Sequence, residues 1–264
     1  MMKVFVFTYT LLRALLSLVL VPYWTVVHGV AVLYNGSKGN QQAVTWHMSR
    51  WCQKLLRYFG VDVKMEGFEK LPRQGGGVLA FNHQSHFDIP AVMASADRVI
   101  RYGAKAELFK IPLFGAAIRM SGCLPIARQN RTAVFRIYEE ASNRFREGVI
   151  FALAPEGTRQ AKPEIGPFKK GPFFFAANSG VPIVPVVIEG ADRVLPKGQL
   201  LPNIGHLRQT IQVRVLDPVW PNRRPTIGPD GSPTVPNETI TLLLEETRAQ
   251  MVRAFADLKA QRNR

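Results

Sequence analysis

The residues best suited to chemistry lie in the segment Asn82-His83-Gln84-Ser85-His86-Phe87-Asp88. His83 and Asp88 are five positions apart, about 140° of rotation on a straight helix, so they would not share a helical face. They can meet if His83 lies in the turn leaving a strand and Asp88 lies in the first turn of the next helix. A histidine oriented by a carboxylate is suited to acid–base chemistry. The pattern from Ser85 to Asp88, followed by Pro90, equally predicts an ordinary helix start in which Asp88 is only a cap.

The same segment must also be tested as a metal site, because His83, His86 and Asp88 form the pattern H-x-x-H-x-D. Zinc sites normally need further ligands. The sequence contains no C-x-x-C pair, and the remaining histidines lie in the apolar N-terminus or in a predicted loop: His28, His47 and His206. We therefore predict neither a metal nor another cofactor.

Three further segments are notable: one follows an apolar strand, and two are themselves strand-like. In residues 154–159, Gly157 allows a close backbone approach and Arg159 can bind a phosphate in bidentate fashion. Residues 122–128 end in Arg128, and residues 181–186 form an apolar run with two prolines. Each segment alone is equally typical of a turn, an exposed arginine or an edge strand.

Taken together in this order, the segments resemble the 1-acylglycerol-3-phosphate (lysophosphatidic acid) acyltransferase family. That family has four blocks: N-H-x4-D, G-x-x-F-x-x-R, E-G-T-R and V-P-I-V-P. They correspond here to residues 82–88, 122–128, 156–159 and 181–185. The resemblance covers roughly residues 60–218, and the first and third blocks are the most specific.

The resemblance implies that His83 is a general base for a substrate hydroxyl and that Asp88 fixes the tautomer of its ring, with no Ser or Cys nucleophile. It further implies that the arginines hold a phosphate, that Glu156 binds a hydroxyl or a neighbouring arginine, and that Lys105 lies near the developing oxyanion. The substrate-binding residues expected on this basis are Asn82, Lys105, Arg128, Glu156, Gly157, Thr158 and Arg159.

The sequence departs from the family pattern at Pro125, Ala127, Ala154 and Gln160. These departures leave the acceptor open. The expected reaction transfers an acyl group from acyl-CoA or acyl-carrier protein to the 2-hydroxyl of 1-acylglycerol-3-phosphate, giving phosphatidate for phospholipid biosynthesis. The alternatives are the same chemistry on a lyso-phospholipid or lyso-aminolipid, a non-enzymatic membrane-binding module, and a metallohydrolase.

The charge distribution favours a lipid surface as the anionic partner. Lys and Arg number 34 against 19 Asp and Glu, which gives a formal net charge of +15. Residues 1–61 contain no acidic residue but several basic ones within a largely apolar stretch. This pattern is typical of contact with anionic lipid, whereas a nucleic-acid partner would favour basic residues interleaved with polar ones. We therefore expect membrane lipids, and no nucleic acid, as partners.

The N-terminal apolar stretch, residues 4–34, would be about 46 Å long as one helix, which exceeds the roughly 30 Å hydrocarbon core of a bilayer. Pro22 near its middle predicts two helices, about 4–21 and 23–34. A retained membrane anchor is expected, with a signal peptide and a buried core hairpin as alternatives. Residues 43–59 read as an amphipathic helix that lies in the headgroup layer, packs on the core, or does both. The expected location is the membrane, with the active site facing the cytoplasm.

From residue 61 onward, short apolar runs alternate with helical patterns. This alternation predicts an α/β fold with a mixed, largely parallel sheet flanked by helices, preceded by an apolar helical membrane-anchoring hairpin. The expected division is residues 1–60 for the membrane-associated helices and 61–264 for an acyltransferase domain. Residues 219–236 read as a loop, and a closing amphipathic helix begins near Glu238. Strands are expected at 61–65, 77–81, 99–102, 123–127, 149–153, 183–188 and 210–216, and helices at 89–96, 107–120, 131–147 and 168–179.

Overall fold

The computed structural model of the chain describes residues 2–94, 98–127, 130–199, 201–203, 206–228 and 233–262. Its helices and strands alternate along most of the chain. The helices are α1 (Met2–Ser37), α2 (Gln41–Tyr58), α3 (Asp88–Met93), α4 (Phe114–Met120), α5 (Arg131–Ser142), α6 (Gly171–Ser179), α7 (Ala191–Val194) and α8 (Asn237–Arg262). The strands are β1 (Val61–Glu66), β2 (Gly77–Phe81), β3 (Ile100–Lys105), β4 (Leu124–Ile126), β5 (Ile150–Leu153), β6 (Ile183–Glu189), β7 (Gln209–Val215), β8 (Thr226–Ile227) and β9 (Pro233–Thr234).

Seven strands form one sheet in the order β1-β7-β6-β2-β5-β3-β4. All neighbouring strands are parallel except β6 and β7, which are antiparallel. The predicted fold class, a mixed and largely parallel sheet flanked by helices, is therefore confirmed. Because β2, β3, β4, β5 and β6 run in the same direction, the segments that leave them emerge at one edge of the sheet, called here the carboxyl edge.

The sheet has a hydrophobic core on each face. Successive side chains of a strand point to opposite faces. In β2, Leu79 and Phe81 pack with residues of α2 and α3, whereas Val78 and Ala80 pack with residues of α5, α6 and α8. All four side chains are buried, which explains why β2 reads as a continuous apolar run.

The expected helix break at Pro22 is wrong, because α1 continues through this residue from Met2 to Ser37. The neighbouring helix packs beside the proline. Trp51 of α2 donates a hydrogen bond to Thr25 Oγ1 (3.0 Å), and Thr25 Oγ1 donates to the Val21 carbonyl oxygen (2.8 Å). Packing against a neighbouring helix allows a helix to continue through a proline. The N-terminal hairpin therefore consists of α1 and α2, joined at residues 38–40.

The outer face of α1 is apolar and exposed along its length. Val4 is 70% exposed and Leu12 is 60% exposed. Among the described residues, 3–37 form the one helix that is long and apolar enough to cross a membrane. An exposed apolar surface of this extent marks contact with a membrane or a partner, which fits the predicted anchor.

The second helix of the hairpin is amphipathic, as predicted. Val44, Cys52 and Leu56 are buried against the domain, while Trp46 remains exposed beneath the Arg50 guanidinium. A core-facing side and a lipid-suited side thus coexist on one helix.

A buried arginine joins the hairpin to the sheet. Arg101 of β3 is fully buried, and its guanidinium donates hydrogen bonds to Thr45 Oγ1 (2.9 Å) and Gln41 Oε1 (3.2 Å) in the first turns of α2. A buried charge is costly unless it is hydrogen-bonded. Arg101 therefore fixes the start of α2 against β3.

The C-terminal helix α8 covers β6, where Met251 packs with Val187 and Phe255 in a fully buried position. We expect Met251→Ala to lower the free energy of unfolding by about 2–5 kcal/mol, since it leaves a cavity beneath the helix. The neighbouring Val252 is 41% exposed, so Val252→Ala is the matched control and should stay within about 0.5 kcal/mol. Thermal unfolding in detergent, followed by circular dichroism, measures both; equal midpoints for the two variants would contradict this packing role.

Candidate active site

The candidate site lies at the carboxyl edge, where the segments leaving β2 and β5 meet. These strands are parallel neighbours, with Leu79 opposite Ala152 and Ala80 opposite Leu153. The turn at residues 82–87 therefore emerges beside the turn at residues 154–160. Ligands of open α/β sheets bind at this kind of edge.

His83 and Asp88 are in direct contact. His83 Nδ1 lies 2.8 Å from Asp88 Oδ2. Because a carboxylate oxygen accepts, this contact assigns the ring hydrogen to Nδ1 and leaves Nε2 as an acceptor. The His83 side chain is 12% exposed and lines a cavity, whereas Asp88 is fully buried.

Asp88 closes the turn that carries His83, in addition to its contact with the His83 ring. The same Oδ2 atom accepts the backbone N–H groups of Gln84 and Ser85, each at 2.9 Å. Three hydrogen bonds therefore converge on this one oxygen. Asp88 therefore orients the imidazole and holds the turn that carries it.

Glu156 positions the backbone of His83. Its Oε2 accepts the N–H of His83 (2.8 Å) and its Oε1 accepts the N–H of Gly166 (2.9 Å). Burial raises the pKa of Glu156, and the two N–H donors partly oppose this shift. On the other side of the residue, the Gln160 N–H donates to the His83 carbonyl oxygen (2.8 Å). Both carboxylate oxygens of Glu156 thus accept backbone N–H groups, and the substrate contact expected for this residue stays a prediction.

Asn82 is likewise engaged inside the protein. It is fully buried, and its amide exchanges hydrogen bonds with both the N–H and the carbonyl oxygen of Ile188, each at 2.8 Å. This pair joins the end of β2 to β6. The substrate-binding role expected for Asn82 does not match this position, and the residue instead fixes the strand end from which His83 projects.

The cavity beside His83 has a volume of about 750 Å³. Its polar rim contains His83, Lys169 and Lys170, next to the backbone of Gly157. Gly157 has a positive φ of 71°, and a Cβ atom there would come within 2.9 Å of the Lys169 side chain. Apolar side chains form most of the remaining wall: Phe81, Ile89, Ile126, Val134, Phe135, Leu153, Phe168, Phe174 and Ile240.

The other expected binding residues lie around this edge. Lys105, at the end of β3, is exposed and pairs with Glu107 at 3.4 Å. Thr158 is exposed, and Arg159 is partly buried with one terminal nitrogen enclosed and without a hydrogen-bond partner among the described residues. Burial lowers the pKa of His86, and the nearby Arg159 lowers it further. Arg128 lies outside the described residues.

Sequence patterns did not identify the supporting residues Gln160, Gly166 and Ile188. All three act through their backbone, and a backbone contact places little demand on residue type. For Gln160, the clearest signal in the sequence was its place in the turn after β5. In a parallel sheet this turn can emerge beside the turn that carries His83.

Comparison with known proteins identifies chains that are similar to this one. An acyltransferase family model matches residues 62–189. The chain is 33% identical to the chloroplastic 1-acyl-sn-glycerol-3-phosphate acyltransferase of Brassica napus, over 54% of this chain and 41% of that protein. It is 32% identical to the 1-acyl-sn-glycerol-3-phosphate acyltransferase of Escherichia coli, over 51% of this chain and 56% of that protein. The matched regions thus span about half the length of these curated relatives.

A solved structure resembles the whole chain. The crystal structure of the 1-acyl-sn-glycerophosphate (LPA) acyltransferase from Thermotoga maritima superimposes with a TM-score of 0.77 and 25% sequence identity. The match covers 96% of this chain and 97% of that chain. The likeness therefore includes the N-terminal helices as well as the sheet.

Removal of the Glu156 carboxylate tests its two hydrogen bonds to the His83 and Gly166 N–H groups, called here the backbone clamp. We expect Glu156→Ala to speed hydrogen exchange at the His83 and Gly166 amides by about 10- to 100-fold, because each loses a bond to a charged acceptor. Exchange measured by mass spectrometry or NMR provides the readout. Glu164→Ala, an exposed carboxylate in the same segment, is the matched control. Unchanged protection at both amides in Glu156→Ala would rule out the clamp.

Proposed function

The chain belongs to the 1-acylglycerol-3-phosphate acyltransferase family, and on this premise we propose that it acylates the 2-hydroxyl of 1-acylglycerol-3-phosphate to form phosphatidate. The observation that carries the proposal is the 2.8 Å contact between His83 and Asp88, together with the position of His83 in the wall of a largely apolar cavity. A base beside an apolar cavity suits a substrate with a hydroxyl at one end and an acyl chain at the other.

The proposed reaction is a direct transfer. His83 Nε2 accepts the proton of the acceptor hydroxyl while its oxygen attacks the thioester carbonyl carbon. The new C–O bond forms a tetrahedral oxyanion, which then collapses with cleavage of the C–S bond. The imidazolium returns its proton to the departing sulfur, and the products are the acylated lipid and a free thiol. Asp88, buried and in contact with the ring, stabilises the imidazolium between these steps.

The cationic groups of the edge are proposed to bind the phosphate of the acceptor. Arg159 supports this role because one of its terminal nitrogens is enclosed without a partner among the described residues. Gly157 allows a phosphate to approach the backbone closely, and Thr158 adds a hydroxyl donor. We also propose Arg128 as a phosphate ligand and Lys105 as the residue nearest the oxyanion.

The donor is proposed to be acyl-CoA or acyl-carrier protein, with the acyl chain in the apolar part of the cavity. No cofactor enters the proposed reaction. Residues 1–60 would hold the enzyme in the membrane and residues 61–264 would form the acyltransferase domain, with the active site on the cytoplasmic side where soluble thioesters are available. This arrangement brings a lipid acceptor and a water-soluble donor to one interface.

A second acceptor class is favoured by specific residues at the site. Gln160 stands where the family pattern has serine, and it contacts the backbone of His83. Pro125 replaces the family's aromatic residue beside Ile126, which lines the cavity. A lyso-phospholipid or lyso-aminolipid is therefore the alternative acceptor. A thiol-release assay with a panel of lyso-lipids distinguishes the two, because the true acceptor should give the highest kcat/KM.

Substitution of the proposed dyad tests the chemistry. We expect His83→Ala and Asp88→Asn each to lower kcat by about 10²–10⁴-fold, since the first removes the base and the second favours the wrong tautomer. Thiol release from acyl-CoA in detergent measures the rate. His86→Ala, in the same turn, is the control and should keep most of the activity. A His83→Ala enzyme that retained most of its activity would refute the assigned role.

Neutralisation of Arg159 tests the phosphate contact. We expect Arg159→Gln to raise KM for lysophosphatidate by about 10- to 100-fold, because a charge-assisted bond to phosphate is lost, with little change in KM for the donor. Arg223→Gln, an exposed arginine in the loop at 219–228, is the matched control. An equal rise in both KM values would contradict an acceptor-specific contact.

A further inference from the structure

A second concavity lies at the carboxyl edge, separate from the cavity beside His83. It has a volume of about 790 Å³ and lies where β6 ends and where β1 and β7 begin. We call it the basic pocket. Five cationic side chains line it, against the carboxylates of Glu189 and Asp192: Lys64, Arg193, Lys197, Arg208 and Arg262. The lining of this pocket therefore contains more cationic than acidic side chains.

Part of this charge is paired within the protein. Glu189 is buried and accepts hydrogen bonds from Arg193 (3.2 Å) and Arg262. Arg208 pairs with Asp62 at 3.1 Å. Lys64 and Lys197 are exposed and have no ion-pair partner within the described part of the chain. The pocket therefore retains cationic groups that are available to an anion.

The wall of the basic pocket is attached to the anchor helix. Arg13 of α1 donates to the carbonyl oxygens of His206 (3.2 Å) and Leu207 (2.9 Å), and His206 lines the pocket. Within one turn of Arg13, Leu12 and Leu16 expose most of their apolar surface. Leu207 is itself 45% exposed. A cationic recess thus lies directly beside a surface suited to acyl chains.

The pocket also adjoins the catalytic turn. Gln160 lines it, and the same residue donates its N–H to the His83 carbonyl oxygen. An anion in the pocket would therefore sit at the same edge of the sheet as His83. A soluble phosphate would use the cationic groups alone, whereas a phospholipid would use both the cations and the neighbouring leucines.

We propose that the basic pocket binds the headgroup of an anionic membrane phospholipid that is neither substrate nor product. The lipid phosphate binds to Lys64 and Lys197, and its acyl chains lie along the leucine surface of α1. Because α1 and the pocket are joined through Arg13, this lipid holds the carboxyl edge against the membrane in one orientation. The site is independent of the reaction assigned to His83.

The test uses the full chain in a neutral detergent, titrated calorimetrically with dihexanoyl phosphatidylglycerol. Lys64→Gln/Lys197→Gln should weaken binding by about 25-fold, roughly 5-fold for each lost cation. The matched control is Arg73→Gln/Arg146→Gln, which removes two exposed cations just before β2 and β5 at the opposite edge of the sheet. This control should leave the affinity unchanged, as should His83→Ala.

Five outcomes would overturn the proposal. Unchanged affinity in the lysine pair, or an equal loss in both double variants, would show that the pocket is not the site. Loss of binding in His83→Ala would place the lipid in the catalytic cavity. Equal affinity for dihexanoyl phosphatidylcholine would remove the role of net charge, and equal affinity for glycerol 3-phosphate would show a free-phosphate site without a lipid contribution.

Discussion

One carboxylate oxygen determines much of the site's geometry. Asp88 Oδ2 accepts the ring hydrogen of His83 and two backbone N–H groups of the turn between them. Any movement of Asp88 would therefore disturb the His83 ring and its supporting backbone together. Glu156 repeats this arrangement from the neighbouring turn, with one oxygen on His83 and the other on Gly166. The imidazole is thus held by acceptors that are buried and cannot easily rearrange.

The sheet places these acceptors without contributing chemistry of its own. Parallel pairing of β2 with β5 and β6 brings three strand ends together, and the amide of Asn82 fixes one of them to Ile188. The hairpin of α1 and α2 is fixed to the same sheet through Arg101. The hairpin and the turn that carries His83 are consequently joined to one sheet.

Much of the fold could be predicted from the sequence, because alternating apolar runs and helical patterns depend on burial. β2 was predicted with its observed bounds, since all five of its residues are buried. The break expected at Pro22 is absent. Helix α1 packs against α2 beside the proline, where Trp51 donates to Thr25, and no local sequence pattern reveals this packing. The sequence also indicated that His83 and Asp88 can meet if the turn after β2 leads directly into a helix. It could not show that Asn82 and Glu156 are engaged with backbone, since such partners leave no pattern of residue types.

The position of β1 bears on how the protein is made. This strand lies at one end of the sheet and pairs with β7, with Val61 opposite Gln209. Its interstrand hydrogen bonds therefore cannot form until β7 has been synthesised. The last turn of α8 then joins the sheet through the contact between Arg262 and Glu189. During synthesis, α1 emerges before every strand of the sheet. Its apolar face is therefore exposed long before the carboxyl edge, which needs β7, can be complete.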